Sequence, residues 1–367
     1  MSTVVDVARS AGVSTATVSR VLNNQGVRPE TVQRVEKAMK ELGYIPNRTA
    51  RSLRTRRSEL IALVVPDIEN PFFTALARGV EDIAQQAGYS VVLCNSDDDE
   101  AKESRYLRVA ASESMAGVIL APAGQTPDVE ALKASGSHLV VVDRHVDLPV
   151  DQVVFDNVLL GKSGTDWLLE QGCKRIACVT GPSSIATAVD RATGWRQAYE
   201  QCGLSAPEDL LAYTNFRVEA GEEVAARLFS NIISEGELGR TLAPEVISGS
   251  KKPPRKNPMT NEGSAGNPGL PDAILAANNL VGLGVLRALS QLDRKDIRVA
   301  VIGTMPFASE PRPDVFSIPL PMREMGIRAA TLLLKRITGQ RQDSGVHHIL
   351  NGENPIAQGS RSHLDAN

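Results

Sequence analysis

The chain has 367 residues, 42% of them apolar and 23% charged, and a formal net charge of −3. This is ordinary composition for a water-soluble globular protein, and the length exceeds one typical core, so two or three domains are expected. No run of about 18 apolar residues occurs and Asp6 and Arg9 interrupt any apolar leader, so the expectation is a cytoplasmic protein with no membrane partner.

The charge is unevenly placed. Residues 1–58 carry 11 Lys and Arg against 4 Asp and Glu, while the remainder carries a net charge of −10. A cationic head on an anionic body points to a polyanion partner for the head alone. The four cysteines, Cys94, Cys173, Cys178 and Cys202, lack CxxC spacing and read as reduced thiols rather than zinc ligands or a disulfide framework. The five histidines, His347 and His348 among them, form no HExxH pattern, so no metal site is expected.

In chain order, Val5, Val7, Ala8 and Ala11 have near-helical spacing, Asp6 sits in the first turn and Gly12 stops the helix. Ser14 then caps a second helix, Thr15 to Leu22, with Val18, Val21 and Leu22 to one side and Thr15, Ala16, Ser19 and Arg20 on other faces. Helix, glycine turn, helix is the helix-turn-helix layout, whose second helix enters the major groove. Pro29 opens a third helix, with Val32, Val35, Met39 and Leu42 as its stripe. An ordinary three-helix subdomain with a solvated basic face would share these helices. The stretch past Gly43 weighs against it: Leu53 stands alone among Arg51, Arg54, Arg56 and Arg57. Phosphates could order such a segment and place its leucine as a wedge in a minor groove.

From Leu60 onward strands alternate with helices: 60–65, 89–95, 116–122 and 137–143 are strands, with helices over 71–88 and 103–114. The alternation restarts with strands over 174–181, 271–279 and 296–303 and helices over 191–203 and 223–234. Spacing of this kind means parallel, doubly wound sheets in two lobes with a cleft between them. Ligands in such sheets sit beyond the carboxyl ends of strands. Those ends are residues 67–73, 95–96 and 143–144 in the first lobe, and 181–187, 278–279 and 303–304 in the second. The acidic run Asp97 to Asp99 reads as a solvated loop.

DVARSAGVSTATVSRVLN, ELGYIPNRTARSLRT and IALVVPDIENPFF closely resemble the lactose-repressor (LacI/GalR) family of bacterial transcription regulators. The resemblance covers nearly the whole chain. It implies that Thr15, Ala16 and Arg20 read bases, that Ser14, Thr17, Ser19, Asn23 and Asn47 make positioning contacts, and that Leu53, flanked by Arg51 and Arg54, is the intercalating residue of a hinge helix. It further implies a periplasmic-binding-protein-like body. Asn70, Phe72 and Phe73 then line one wall of an effector site, Asp143 and Arg144 another, with Arg191, Phe216, Asn278 and Thr304 completing it. Two positions depart from the family pattern: Asn279 replaces an aspartate, and Thr304 and Met305 stand where a carboxylate is usual. The effector expected is therefore less hydroxyl-rich than a free sugar, or absent.

The domain reading is a head over 1–46, a hinge over 47–59, a first lobe over 60–160 and 319–342, and a second lobe over 161–318 and 343–362. Residues 235–271, rich in Gly, Pro, Ser and charge, read as an insertion loop, and VHHIL near the end reads as a strand. The body alone would suit a solute-binding protein, but the basic head argues against that. An enzyme is disfavoured because no GxGxxG follows a strand and neither a P-loop nor a GxSxG elbow occurs. The reading is a homodimeric repressor of a pseudopalindromic operator in double-stranded DNA, with a small sugar, sugar phosphate or nucleoside-like effector and no cofactor. The dimer surface is expected along residues 78–86, 106–110 and 281–289.

Overall fold

The computed structural model describes residues 2–22, 25–44, 58–230, 269–305 and 314–350. The chain divides into two compact units, one ending at Glu59 and the other beginning at Leu60.

The first unit contains α1 (Val4–Ala11), α2 (Thr15–Leu22) and α3 (Pro29–Glu41). A capping box opens α1: the Asp6 N–H donates to Thr3 Oγ1, and the Thr3 N–H donates to the Asp6 carboxylate. Gly12 closes it at φ +62°, where a side chain would be strained. Ser14 caps α2, its Oγ accepting from the Thr17 N–H at 3.1 Å. Val7, Ala8, Ala11, Val18, Val21, Val35 and Ala38 form the buried core, with Val32, Met39 and Leu42 packed on its edge. Val5 does not belong to that stripe. It is 49% exposed, and Val4 packs on the core instead, because one residue's step turns about 100° around a helix.

The second unit begins with β1 (Leu60–Val65), α4 (Pro71–Gln86), β2 (Ser90–Asn95), α5 (Glu100–Ser112), β3 (Gly117–Leu120), α6 (Glu130–Ser135), β4 (His138–Asp143) and β5 (Asp151–Phe155). It continues with α7 (Asn157–Glu170), β6 (Ile176–Thr180), α8 (Ala186–Gln201), β7 (Leu211–Tyr213), α9 (Val218–Ser230), β8 (Ala273–Ala276), α10 (Asn279–Gln291), β9 (Arg298–Ile302) and β10 (Val315–Ile318). Then come α11 (Met322–Ile337) and β11 (His347–Leu350). The strands form two parallel sheets, ordered β11-β5-β4-β3-β1-β2 and β10-β9-β8-β6-β7. In each, the chain winds outward one way and then the other, so the order reverses beside the first strand entered. The central strands β3, β6 and β8 are buried along their whole length, as sheets covered by helices on both faces require.

The chain passes from the first sheet to the second between β5 and α7, and returns between β10 and α11. The strand carrying VHHIL was expected with the second lobe. It belongs to the first: β11 pairs parallel with β5, His347 opposite Gln152 and Leu350 opposite Phe155. Asp151 directs it there, accepting from the Val346 N–H at 3.0 Å while bound to Arg336 of α11. Strands β5, β7 and β10 were not marked by the sequence; β7 spans only Leu211–Tyr213, too short to show a period. The apolar face of α10, with Val281, Val285, Ala288 and Leu289, is buried in the second lobe's core and is not free for a partner chain. The thiols are free, Cys173 and Cys178 buried and Cys202 exposed. Among the described residues no helix is long and apolar enough to cross a membrane.

Candidate functional site

Two surfaces carry the chemistry. On the head, α2 turns Val18 and Val21 into the core. Its opposite face leaves Thr15, Ala16 and Arg20 exposed, and Ser14 beside them. Thr17 and Ser19 are half-buried at the edge, and the Ser14 and Thr17 hydroxyls lie 2.9 Å apart. A short helix anchored by one face, with a hydroxyl, a methyl group and a guanidinium on the other, can present them to base edges. Asn23, Asn47, Arg51, Leu53 and Arg54 lie outside the described residues, as does most of the insertion.

In the body, one cavity of about 500 Å³ collects all nine residues expected of an effector site. Asn70, Phe72 and Phe73 come from the β1–α4 turn, Asp143 and Arg144 from the end of β4, and Arg191 from α8. Phe216 precedes α9, Asn278 precedes α10, and Thr304 follows β9. The volume suits a small organic ligand. Its position follows from topology, since the ends of β1 and β6 lie where strand order reverses in each sheet.

Local chemistry fixes these side chains. Asn70 caps α4 by accepting from the Phe72 N–H at 3.0 Å, which places Phe72 and Phe73 edge to face with ring centroids 4.7 Å apart. Asn278 caps α10 by accepting from the Val281 N–H at 2.7 Å, while its Nδ2 donates to the Phe216 carbonyl at 3.0 Å. Arg191 is reached because α7 and α8 nearly touch. A side chain at Gly161 would strike the Arg191 backbone, and one at Gly194 would strike that of Val158. That contact brings Asn157 of α7 beside Arg191, whose Nε donates to Asn157 Oδ1 at 3.0 Å and whose Nη1 donates to the Ala277 carbonyl at 2.5 Å. Burial lowers the Arg191 pKa to about 10, with Asp143 opposing, so the group remains a cation at neutral pH.

The first-lobe wall is an ionic relay. Arg144 Nη1 donates to Asp98 Oδ1 at 2.6 Å and to the Pro122 carbonyl at 2.8 Å, and its Nε lies 3.8 Å from Asp143. Burial pushes the Asp143 carboxyl up, against the pull of Arg144 and Arg191. Among the described residues, six non-glycine residues have a left-handed backbone, and three of them (Asp98, Asp143 and Phe216) line this cavity. Strain concentrated at one site marks a functional one.

Sequence reasoning missed some of the lining. Asp98, read as part of a solvated loop, faces the cavity as the partner of Arg144. Asn215 and Arg217 lie beside Phe216, and Pro321 to Glu324, at the start of α11, form part of the rim. The available signal for the rim was Pro321 at a helix start directly after the chain leaves the second sheet.

A helix-turn-helix head and a two-sheet body with a ligand-sized cavity between the sheets define a ligand-responsive DNA-binding protein as the class. Comparison with known proteins agrees. Residues 3–47 match the family model for bacterial regulatory proteins of the lacI family, and residues 58–232 match that for periplasmic binding proteins and the sugar-binding domain of the LacI family. Residues 165–360 match a periplasmic binding protein-like domain. A ribose operon repressor from Halalkalibacterium halodurans is 31% identical over 95% of this chain and 94% of that protein. The solved complex of the transcriptional regulator CelR with cellobiose is 28% identical, with a TM-score of 0.65, over 96% of this chain and 98% of that one. The lac repressor dimer bound to operator and the anti-inducer ONPF shares the fold, at 22% identity and a TM-score of 0.76 over 96% of each chain. The chain belongs to the LacI family of bacterial transcription regulators.

Proposed function

We infer that this regulator is a repressor that binds a pseudopalindromic operator as a homodimer, one head per half-site, and responds to a small sugar, sugar phosphate or nucleoside-like effector held in the cavity of the body. One head buries too little surface for tight specific binding, whereas two-fold symmetry lets two α2 helices read two half-sites. Thr15, Ala16 and Arg20 are assigned to base reading, and Arg20 suits a bidentate contact to guanine. Asn70, Phe72, Phe73, Asp143, Arg144, Arg191, Phe216, Asn278 and Thr304 are assigned to the effector.

The observation that carries this reading is the convergence of those nine residues, drawn from both lobes, on one cavity. A ligand touching both walls changes the relative stability of lobe arrangements, and so the disposition of whatever is attached to them. The cavity is assigned to binding rather than turnover: the sequence carries no nucleophile elbow or phosphate loop, and the relatives described above are repressors and regulators. A thermal-shift screen of pentoses, hexoses, their phosphates, nucleosides and purines tests the assignment. The expected result is a hit whose stabilisation disappears in Arg191→Ala. A hit that persists unchanged in that variant places the ligand elsewhere.

A further inference from the structure

The charged groups that line the cavity, arginines as well as carboxylates, are unevenly paired. Four carboxylates line it, and three are engaged with the protein itself. Asp98 is bound to Arg144, Glu324 accepts from Arg328 at 3.1 Å, and Asp67 accepts from the Glu69 N–H at 2.9 Å. The fourth, Asp143, is buried, which pushes its carboxyl up, and it lies 3.8 Å from Arg144 Nε. Arg323 on the rim is taken up by Asp82 at 2.6 Å. Arg191 is different. It is 5% exposed, its bonds go to an amide oxygen and a backbone carbonyl, and among the described residues it forms no ion pair. Its Nη2 has no protein partner among them, although the side chain lines the cavity. Arg144 Nε, also on the lining, is buried without a hydrogen-bond acceptor.

The backbone adds to this. Helices α4, α8, α10 and α11 all begin at the cavity, and none of α4, α8 and α10 carries an acidic residue in its first turn. Helix α8, which bears Arg191, also lacks a side-chain cap, and Thr187 of its first turn lines the cavity. Among the described residues the second-lobe wall offers a neutral sugar's hydroxyl donors no carboxylate. Both ends of the Asn278 amide are occupied, and Asn279 and Thr304 supply an amide and a hydroxyl rather than a carboxylate.

We propose that the effector is a monosaccharide-sized polyol carrying an anionic group, a carboxylate or a phosphate, seated against Arg191 and the start of α8. This rests on the cavity being the effector site. The anion's oxygens accept from Arg191 Nη2 and from the N–H groups at the start of α8, beside the field of Asp143. The rings of Phe72 and Phe216 pack on the carbon skeleton.

Calorimetric titration of the full-length protein with matched pairs tests this: gluconate against glucitol, glucuronate against glucose, and ribose 5-phosphate against ribose. At least one anion is expected to bind about tenfold or more tightly than its neutral partner, with affinity that falls as salt rises. Which pair responds identifies carboxylate or phosphate. Asn279→Asp, isosteric, adds a carboxylate to the wall and is expected to weaken the anion about tenfold more than the neutral partner. A neutral partner that binds equally well or better overturns the proposal, as does an anion indifferent to Asn279→Asp. If a neutral sugar binds and is lost in Arg191→Gln, the charge assignment fails while the cavity stands as the effector site. If no compound binds to a protein that still retains DNA, both fail.

Discussion

Gly181 and Phe216 fit together as a single joint: a β-carbon on Gly181 would overlap the Phe216 ring. Gly181 follows β6, and Phe216 leads into α9 with a left-handed backbone at φ +62°, its carbonyl held by Asn278 Nδ2. Three loops of the second lobe thus meet at one ring on the cavity wall. Gly181→Ala is predicted to displace that ring, at a cost of about 1–3 kcal/mol in stability and a larger loss of effector affinity than of DNA affinity. Thermal melts and ligand titration measure the two effects. Effector affinity equal to that of the parent protein would show that Phe216 is not part of the binding surface.

Arg20→Ala is predicted to cost about 1–3 kcal/mol on the operator and to relax base preference at one position in each half-site. The residue is exposed on α2, so the fold of the head is expected to survive. Competition between operator and random duplexes measures it. Equal losses on both would reduce Arg20 to a phosphate contact.

The pair Asp151–Arg336 ties β11 and α11 to the edge of the first sheet. Asp151 is 1% exposed and accepts from Arg336 Nε at 2.8 Å and from the Val346 N–H at 3.0 Å. Burial pushes its carboxyl up, but Arg336, the Val346 N–H and Arg341 outweigh this and hold it below the usual range. Arg336→Ala leaves that charge without its main partner and is predicted to cost about 3 kcal/mol near neutral pH. Because the folded pKa is depressed, the stabilisation is present above the unfolded value and is lost as pH falls through the folded one. The gap between parent and variant in denaturant melts should therefore close on acidification. A constant gap would assign the effect to packing.

Glu103 behaves oppositely. It is 1% exposed, accepts from the Ala123 N–H at 2.6 Å, and burial raises its pKa to about 7 despite that bond and the nearby Arg144. A carboxyl raised on folding contributes stability that is full below its unfolded pKa and is lost as pH rises through the folded value. Relative to Glu103→Gln, the parent is predicted to lose up to about 3 kcal/mol between roughly pH 5 and 8. Parallel stability curves for the two proteins would contradict it.

The sequence made the site more legible than the boundaries. Polar residues at the ends of apolar runs, such as Asn70, Asp143 and Asn278, could be assigned because a doubly wound sheet sends every strand end to the same side. Arg191 needed more: its place depends on the contact made through Gly161 and Gly194, and the family resemblance supplied what periodicity could not. The acidic run Asp97 to Asp99 is exposed, as a solvated loop is, but the pairing of Asp98 with Arg144 could not be read because Arg144 lies far along the chain. The final strand was placed in the wrong lobe for a similar reason, since only the distant pairing with β5 and the Asp151 contact assign it. Val5 and Val4 are both apolar neighbours at a helix start, and only packing chooses between them.

The most direct test of the account is selection of duplexes from a random pool by the full-length protein, with and without an effector that stabilises it. The account predicts enrichment of a two-fold symmetric site, loss of that enrichment with Arg20→Ala, and a shift in operator affinity with effector that vanishes with Arg191→Ala. Recovery of no symmetric site, or an operator affinity indifferent to every stabilising ligand, would contradict it.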